Sequence, residues 1–268
     1  MNEIAAIFEA ACMAELQAIK PGNVHVFADG HGMVVADFVA SAKAAASVIA
    51  LPELSVGQRI SQAIDATWAA VGCNTNLGIV LLAAPLIESA VKKKPLAEVL
   101  AGLTQDDAVE AFAAIVKANP AGLGDSARYD VKSIPPCTLL QAMHEAAPRD
   151  KLAYQYANNY VDVLEFGVPL YRQVLSRWQN PAWATTLLYL EYLAQFPDSH
   201  VVRKYGWAEA EKLQIEAKKH CVALQGCDNP KTILGELLHF DKALKHQGIN
   251  PGTSADLTVA TLLMESLS

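Results

Sequence analysis

A chain of 268 residues, 52% of them hydrophobic and 18% charged, can bury a sizeable core, which excludes wholesale disorder and suggests one large domain or two small ones. The net charge of −7, with no basic block, argues against nucleic acid as a partner and suits a phosphate ligand accompanied by magnesium. Five cysteines stand apart at 12, 73, 137, 221 and 227, an odd count without a CxxC pair, which argues against a disulfide framework and against zinc.

Met1 to Lys20 is amphipathic and carries three acids, so it does not read as a signal peptide. Its apolar stripe of Ile4, Phe8, Cys12, Leu16 and Ile19 has helical spacing and ends at Pro21-Gly22. Further helices are expected near 34–50, 55–71, 76–93 and 104–118, the last opened by the capping-box-like Thr104-Gln105-Asp106-Asp107. The most apolar stretch, Leu77 to Ile87, has 11 residues and is too short to span a bilayer, so a cytoplasmic protein without membrane contact is expected. Beyond an irregular stretch at 119–137, helical runs follow near 138–146, 149–178, 181–197, 206–224, 230–247 and 253–267. Pro85 and Pro169 are expected to kink or divide their helices. Period-2 alternation is nearly absent, and neither a repeat nor a Gly/Ser-rich linker is visible. The expectation is one all-α domain over residues 1–268, in which an apolar helix face could also build a homodimer.

Polar, glycine-bearing loops interrupt this helical mass. "KPGNVHVFADGHG", residues 20–32, terminates a helix, but termination does not need Asn23, His25, Asp29 and His31 together. In "GCNTNLG", residues 72–78, one cap would suffice where Asn74, Thr75 and Asn76 all stand, with glycines on both sides. "GDSARYD", residues 124–130, clusters Asp125, Arg128 and Asp130, and a solvated ion pair is the simpler account. In "DSHVVRKYG", residues 198–206, capping and helix-end charges explain Asp198, Ser199, Arg203 and Lys204 but leave His200 over. "NPGTSADL", residues 250–257, poses an electrostatic question. Asn250, Pro251, Gly252, Thr253 and Ser254 read as a loop opening a last helix, where free N–H groups welcome an anion, yet Asp256 in the first turn should repel one. Either Asp256 belongs to a capping box led by Thr253, or a cation stands between it and the ligand.

"KPGNVH", "NTN.G", "AR.D", "DS....K.G" and "NPGTSADL" occur in the order of the triphosphoribosyl-dephospho-coenzyme A synthase family, which the chain resembles from about Glu15 to Leu263. The resemblance implies an all-α enzyme. Such enzymes join the triphosphoribosyl part of ATP to the 2′-hydroxyl of 3′-dephospho-coenzyme A and release adenine. The product is the precursor of the prosthetic group of citrate lyase and malonate decarboxylase acyl carriers. Breaking an N-glycosidic bond develops positive charge on the ribose, and the chemistry calls for a base at the incoming hydroxyl and an acid at the departing adenine. On this resemblance Glu15, Asp29 and Asp256 are candidates for magnesium or oxocarbenium stabilisation, and His25 for proton transfer. Lys20, Arg128 and Lys204 are phosphate candidates, helped by N–H groups at Gly252, Thr253 and Ser254. Gly22, Asn23, Asn74, Asn76, His200 and Asn250 complete the expected substrate contacts.

Two stretches depart from the family pattern. Asn74-Thr75-Asn76-Leu77-Gly78 stands where many members read Asn-Thr-His-Lys-Gly, and Ala127-Arg128-Tyr129-Asp130 replaces Ala-Arg-Gly-Glu. These changes bear on the substrates rather than on the fold. With "KPGNVHVFADGHGM" and "GCNTNLGIVLL", the chain resembles a branch from methylotrophic bacteria associated with genes for tetrahydromethanopterin and methylofuran. Three readings result: the family's transferase, a one-carbon carrier biosynthesis enzyme using the same fold on another substrate, and a non-catalytic helical ligand-binding or partner subunit.

Overall fold

The computed structural model describes residues 3–120, 124 and 128–268; Asp125, expected to cluster with Arg128 and Asp130, lies outside them. Fourteen α-helices occur among the described residues, and no helix there is long and apolar enough to cross a membrane. The first seven are α1 (Glu3–Gln17), α2 (Val35–Ile49), α3 (Val56–Val71), α4 (Leu77–Lys92), α5 (Leu96–Ala101), α6 (Gln105–Ala118) and α7 (Leu139–Ala146). After them come α8 (Lys151–Ala157), α9 (Val168–Trp178), α10 (Pro181–Gln195), α11 (Ser199–Tyr205), α12 (Trp207–Gln225), α13 (Leu234–His246) and α14 (Gly252–Leu267). Among the described residues, extended pairing is limited to two isolated bridges in the 25–33 loop.

Three helices form the middle. Leu77 to Ile87 of α4, Trp183 to Leu193 of α10 and Thr253 to Leu263 of α14 are buried on nearly all faces, as sequences apolar all round require. α14 packs against α1, α4, α10 and α11, while α2, α3 and α6 stack to one side and α12 covers α10. The Thr104 capping box forms as its sequence indicates: Asp107 N–H donates to Thr104 Oγ1 at 3.1 Å and Thr104 N–H to Asp107 Oδ2 at 2.9 Å.

The structure differs from the sequence expectation at several elements. α4 runs unbroken through Pro85. A proline cannot bond the carbonyl four residues back, and here that carbonyl, on Leu81, accepts the Tyr156 hydroxyl at 2.5 Å. Tyr160 donates to the neighbouring Leu82 carbonyl at 3.0 Å. The expected helix over 149–178 is divided as Pro169 suggests, but it also breaks earlier, at Asn159 and Tyr160, whose φ values of 52° and 58° are left-handed. A π-helical turn, Asp162–Gly167, precedes α9. The run from 230 opens as a 3₁₀ turn, Pro230–Ile233, and α5 was not expected.

Candidate active site

The helix ends around α14 enclose a cavity of about 820 Å³. It is reached by Glu15 in the last turn of α1, by Asn23 and His31 in the following loop, and by Asn74 and Asn76 at the start of α4. His200 and Lys204 on α11, Asn250, Arg128, and Gly252, Thr253 and Asp256 at the start of α14 line it too. The loops singled out in the sequence therefore contribute to one space.

A buried polar chain joins the first loop to the last. Lys20 is fully buried and pairs with Glu15, and its ammonium also donates to Asn23 Oδ1 at 3.0 Å. Asn23 Nδ2 in turn donates to Asn250 Oδ1 at 2.8 Å. Burial pushes the Glu15 carboxyl up and the Lys20 ammonium down, and the contact between the two opposes both shifts. Lys20, expected against phosphate, does not line the cavity; it holds Glu15 and Asn23, which do.

The 20–34 loop is clamped to α13. Asp241 accepts the Gly22 N–H at 2.9 Å, lies 3.0 Å from Lys245 Nζ and faces His25 Nε2 at 3.4 Å. His25 is fully buried, its Nδ1 accepts the Phe27 N–H at 3.3 Å, and burial lowers its pKa. The ring is thus neutral with its proton on Nε2, and it stands outside the cavity. This corrects the expectation of a proton carrier there: His31, with Nε2 2.7 Å from the Gly22 carbonyl, is the loop histidine that reaches the cavity. Asp29 is exposed and accepts the Val35 N–H at 2.9 Å, so it caps α2 instead of joining Glu15 and Asp256. Gly22 serves its turn through that N–H and does not line the cavity.

The start of α14 answers the electrostatic question of its sequence. No side chain within the helix caps it. Asp198 does so from the neighbouring element: its Oδ2 accepts the Ser254 N–H at 2.8 Å and the Ser254 hydroxyl at 2.9 Å. The other oxygen, Oδ1, caps α11 through the N–H groups of His200 at 3.0 Å and Val201 at 3.2 Å. Thr253 Oγ1 accepts from the His200 N–H at 3.2 Å. Ser254 is thereby committed to Asp198 and is absent from the cavity lining, contrary to its expected role against phosphate.

Asp256 neither caps its helix nor accepts a hydrogen bond from any described residue, and its carboxyl opens into the cavity. Gly78 in the first turn of α4 lies so close that any side chain there would collide with Asp256 Oδ2. Burial, then the negative charges of Asp198 and Glu15, push the Asp256 carboxyl well above the usual carboxylate range, with Arg203 pulling the other way. His200 on α11 lines the same cavity, its Nδ1 only 2.7 Å from where a side chain on Gly252 would stand. Burial lowers the His200 pKa and Asp198 opposes this, while Arg203, Lys204 and His31 add to the lowering. The cavity therefore presents a carboxyl that favours its proton and an imidazole that favours losing it.

At the α4 start, Asn74 Oδ1 caps the helix by accepting the Leu77 N–H at 3.1 Å, and Asn76 Nδ2 donates to Thr67 Oγ1 at 2.9 Å. Arg128 is exposed, 3.5 Å from Glu145, and Lys204 Nζ is 3.5 Å from the Gly248 carbonyl. Arg149 and Asp150, not singled out in the sequence, also line the cavity, as does Arg203, expected only as a helix-end charge. Arg203 pairs with Asp150 at 2.6 Å. Among the described residues no three His, Cys, Asp or Glu side chains gather as a metal cage. With Asp29 capping α2 and Glu15 held by Lys20, the three carboxylates expected around magnesium are not brought together.

The profile of the CitG family, ATP:dephospho-CoA triphosphoribosyl transferase, matches residues 1–268. The chain belongs to that family. A CitG-family transferase of this length has a solved structural counterpart in a proposed triphosphoribosyl-dephospho-coA synthase from Archaeoglobus fulgidus, with a TM-score of 0.67 and 22% identity. The match covers 85% of this chain and 96% of that one, and at such identity it bears on the fold alone. No curated protein matches the chain.

Proposed function

We propose that the cavity transfers the triphosphoribosyl group of ATP to an acceptor hydroxyl, 3′-dephospho-coenzyme A in the family, with release of adenine. The observation that carries this reading is the Asp256 carboxyl, unpartnered in the cavity and disposed to keep its proton, with the neutral His200 lining the same cavity. In the transfer the bond from ribose C1′ to adenine breaks and a bond from C1′ to the acceptor oxygen forms. Asp256 gives its proton to the departing adenine, and His200 takes the proton of the attacking hydroxyl. Glu15, held by Lys20, places negative charge near the ribose as positive charge grows there. Magnesium enters on this reading with the triphosphate, neutralising phosphate charge, and not in a cage of protein carboxylates.

A second reading keeps ATP and changes the acceptor. Beside the protonated Asp256, the described residues lining the cavity set the acidic Glu15, Asp130, Glu145 and Asp150 against the basic Arg128, Arg149, Arg203 and Lys204, four of each and so with no excess of positive charge. That balance favours an acceptor with little phosphate of its own, as a one-carbon carrier precursor could be. Incubation with ATP, magnesium and 3′-dephospho-coenzyme A, followed by chromatography with mass detection, separates the readings. Adenine with the triphosphoribosyl adduct supports the family reaction. Adenine formed only with a phosphate-poor acceptor supports the second. Folded protein that releases no adenine with either would leave a non-catalytic ligand-binding protein.

A further inference from the structure

The proton transfers above make no use of the half of the cavity built by α6, α7 and the 128–131 segment. There Phe112, Cys137 and Ala142 form a small hydrophobic cluster separate from the main core, with Tyr129 and Val131 packed against it. Phe112, Ala142, Tyr129 and Val131 all line the cavity, so this cluster is packed on one side and open on the other. Tyr129 holds φ at 53°, in the left-handed region that a bulky L residue rarely adopts. Its ring carries the Arg128 guanidinium 4.8 Å from the centroid, and its hydroxyl accepts from Arg128 Nη2 at 3.0 Å.

We propose that this half of the cavity is a subsite for a planar aromatic or heteroaromatic ring of a substrate, with Tyr129 as its aromatic wall. A flat apolar group completes the open side of the cluster, and against Tyr129 it gains ring–ring contact in offset or edge-to-face geometry. The inference rests on the transfer reading only in taking the ring as part of a substrate. Adenine of the donor and a ring on the acceptor share the necessary chemistry.

Binding of two ring probes, free adenine and indole, measured by ligand-observed NMR, tests the subsite without turnover. Tyr129→Gly removes the ring and suits a positive φ, which favours a folded variant; Tyr129→Phe keeps the ring. Both probes should bind the parent and Tyr129→Phe alike, and Tyr129→Gly roughly tenfold more weakly, in line with base–aromatic stacking. Equal binding by Tyr129→Gly and the parent, or no binding by the parent, overturns the proposal. Displacement of both probes by ATP assigns the ring to the donor, whereas indole binding that persists under saturating ATP assigns it to the acceptor. A parent that binds the ring probes through Tyr129 but does not bind ATP keeps the subsite and removes the ATP reading.

Discussion

Asp256 and His200 titrate in opposite directions, and each direction has a consequence for stability as well as for turnover. The folded Asp256 keeps a proton that an unfolded aspartate loses above about pH 4. Its contribution to stability therefore falls as pH rises from there toward its raised folded pKa. Asp256→Asn should melt above the parent at pH 8, with the gap closing as pH approaches 4; a variant melting below the parent at pH 8 would reveal a stabilising partner for the carboxylate. His200 and His25 run the other way. Both are neutral in the fold, so below about pH 6.5 the unfolded chain gains protons the folded one refuses, and stability falls with acidity. In turnover, adenine release should fall on the acid side as His200 protonates and on the alkaline side as Asp256 ionises. Asp256→Asn should lower kcat by about 10²- to 10⁴-fold while ATP binding persists. Loss of ATP binding alongside kcat would point to a binding role.

At the scale of elements, α4 is the wall whose continuity depends on other helices. If Tyr156 donates to the carbonyl that Pro85 leaves unpaired, Tyr156→Phe should cost about 1–3 kcal/mol in denaturant unfolding. Pro85→Ala supplies the missing N–H, so in that background the same change should cost less; equal costs would show that the hydroxyl serves another purpose. Helix positions were readable because their signals are local: Thr104 with Asp107, and apolar residues at helical spacing. The unbroken α4 was not readable, because its tyrosine donors come from more than 70 residues away in sequence. The same limit applies to the site. The loops that build it could be named from composition, but which histidine of the 20–32 stretch faces the cavity depends on Asp241 and Lys245, far along the chain. Asp198 looked like a cap for its own short helix; that its second oxygen serves α14 is visible only in three dimensions.

Across the whole molecule, Glu15, Lys20 and Asn23 form a chain that ties the end of the first helix through Asn250 to the loop before the last one. Removing one partner leaves a buried charge, so Lys20→Met should destabilise by about 3–5 kcal/mol, and adding Glu15→Gln should recover much of that loss. Urea titration of the two single variants and the double variant measures this, and fully additive losses would mean that the two charges do not depend on each other. The Asp198 carboxylate makes a comparable join between α11 and α14, one oxygen for each helix start. Neither start can release its cap by turning this side chain away without uncapping the other. Amide protons at Val201 and Ser254, 53 positions apart in sequence, should then exchange with solvent in one concerted opening event. The wall carrying His200 and the wall carrying Asp256 would fray together and reclose together.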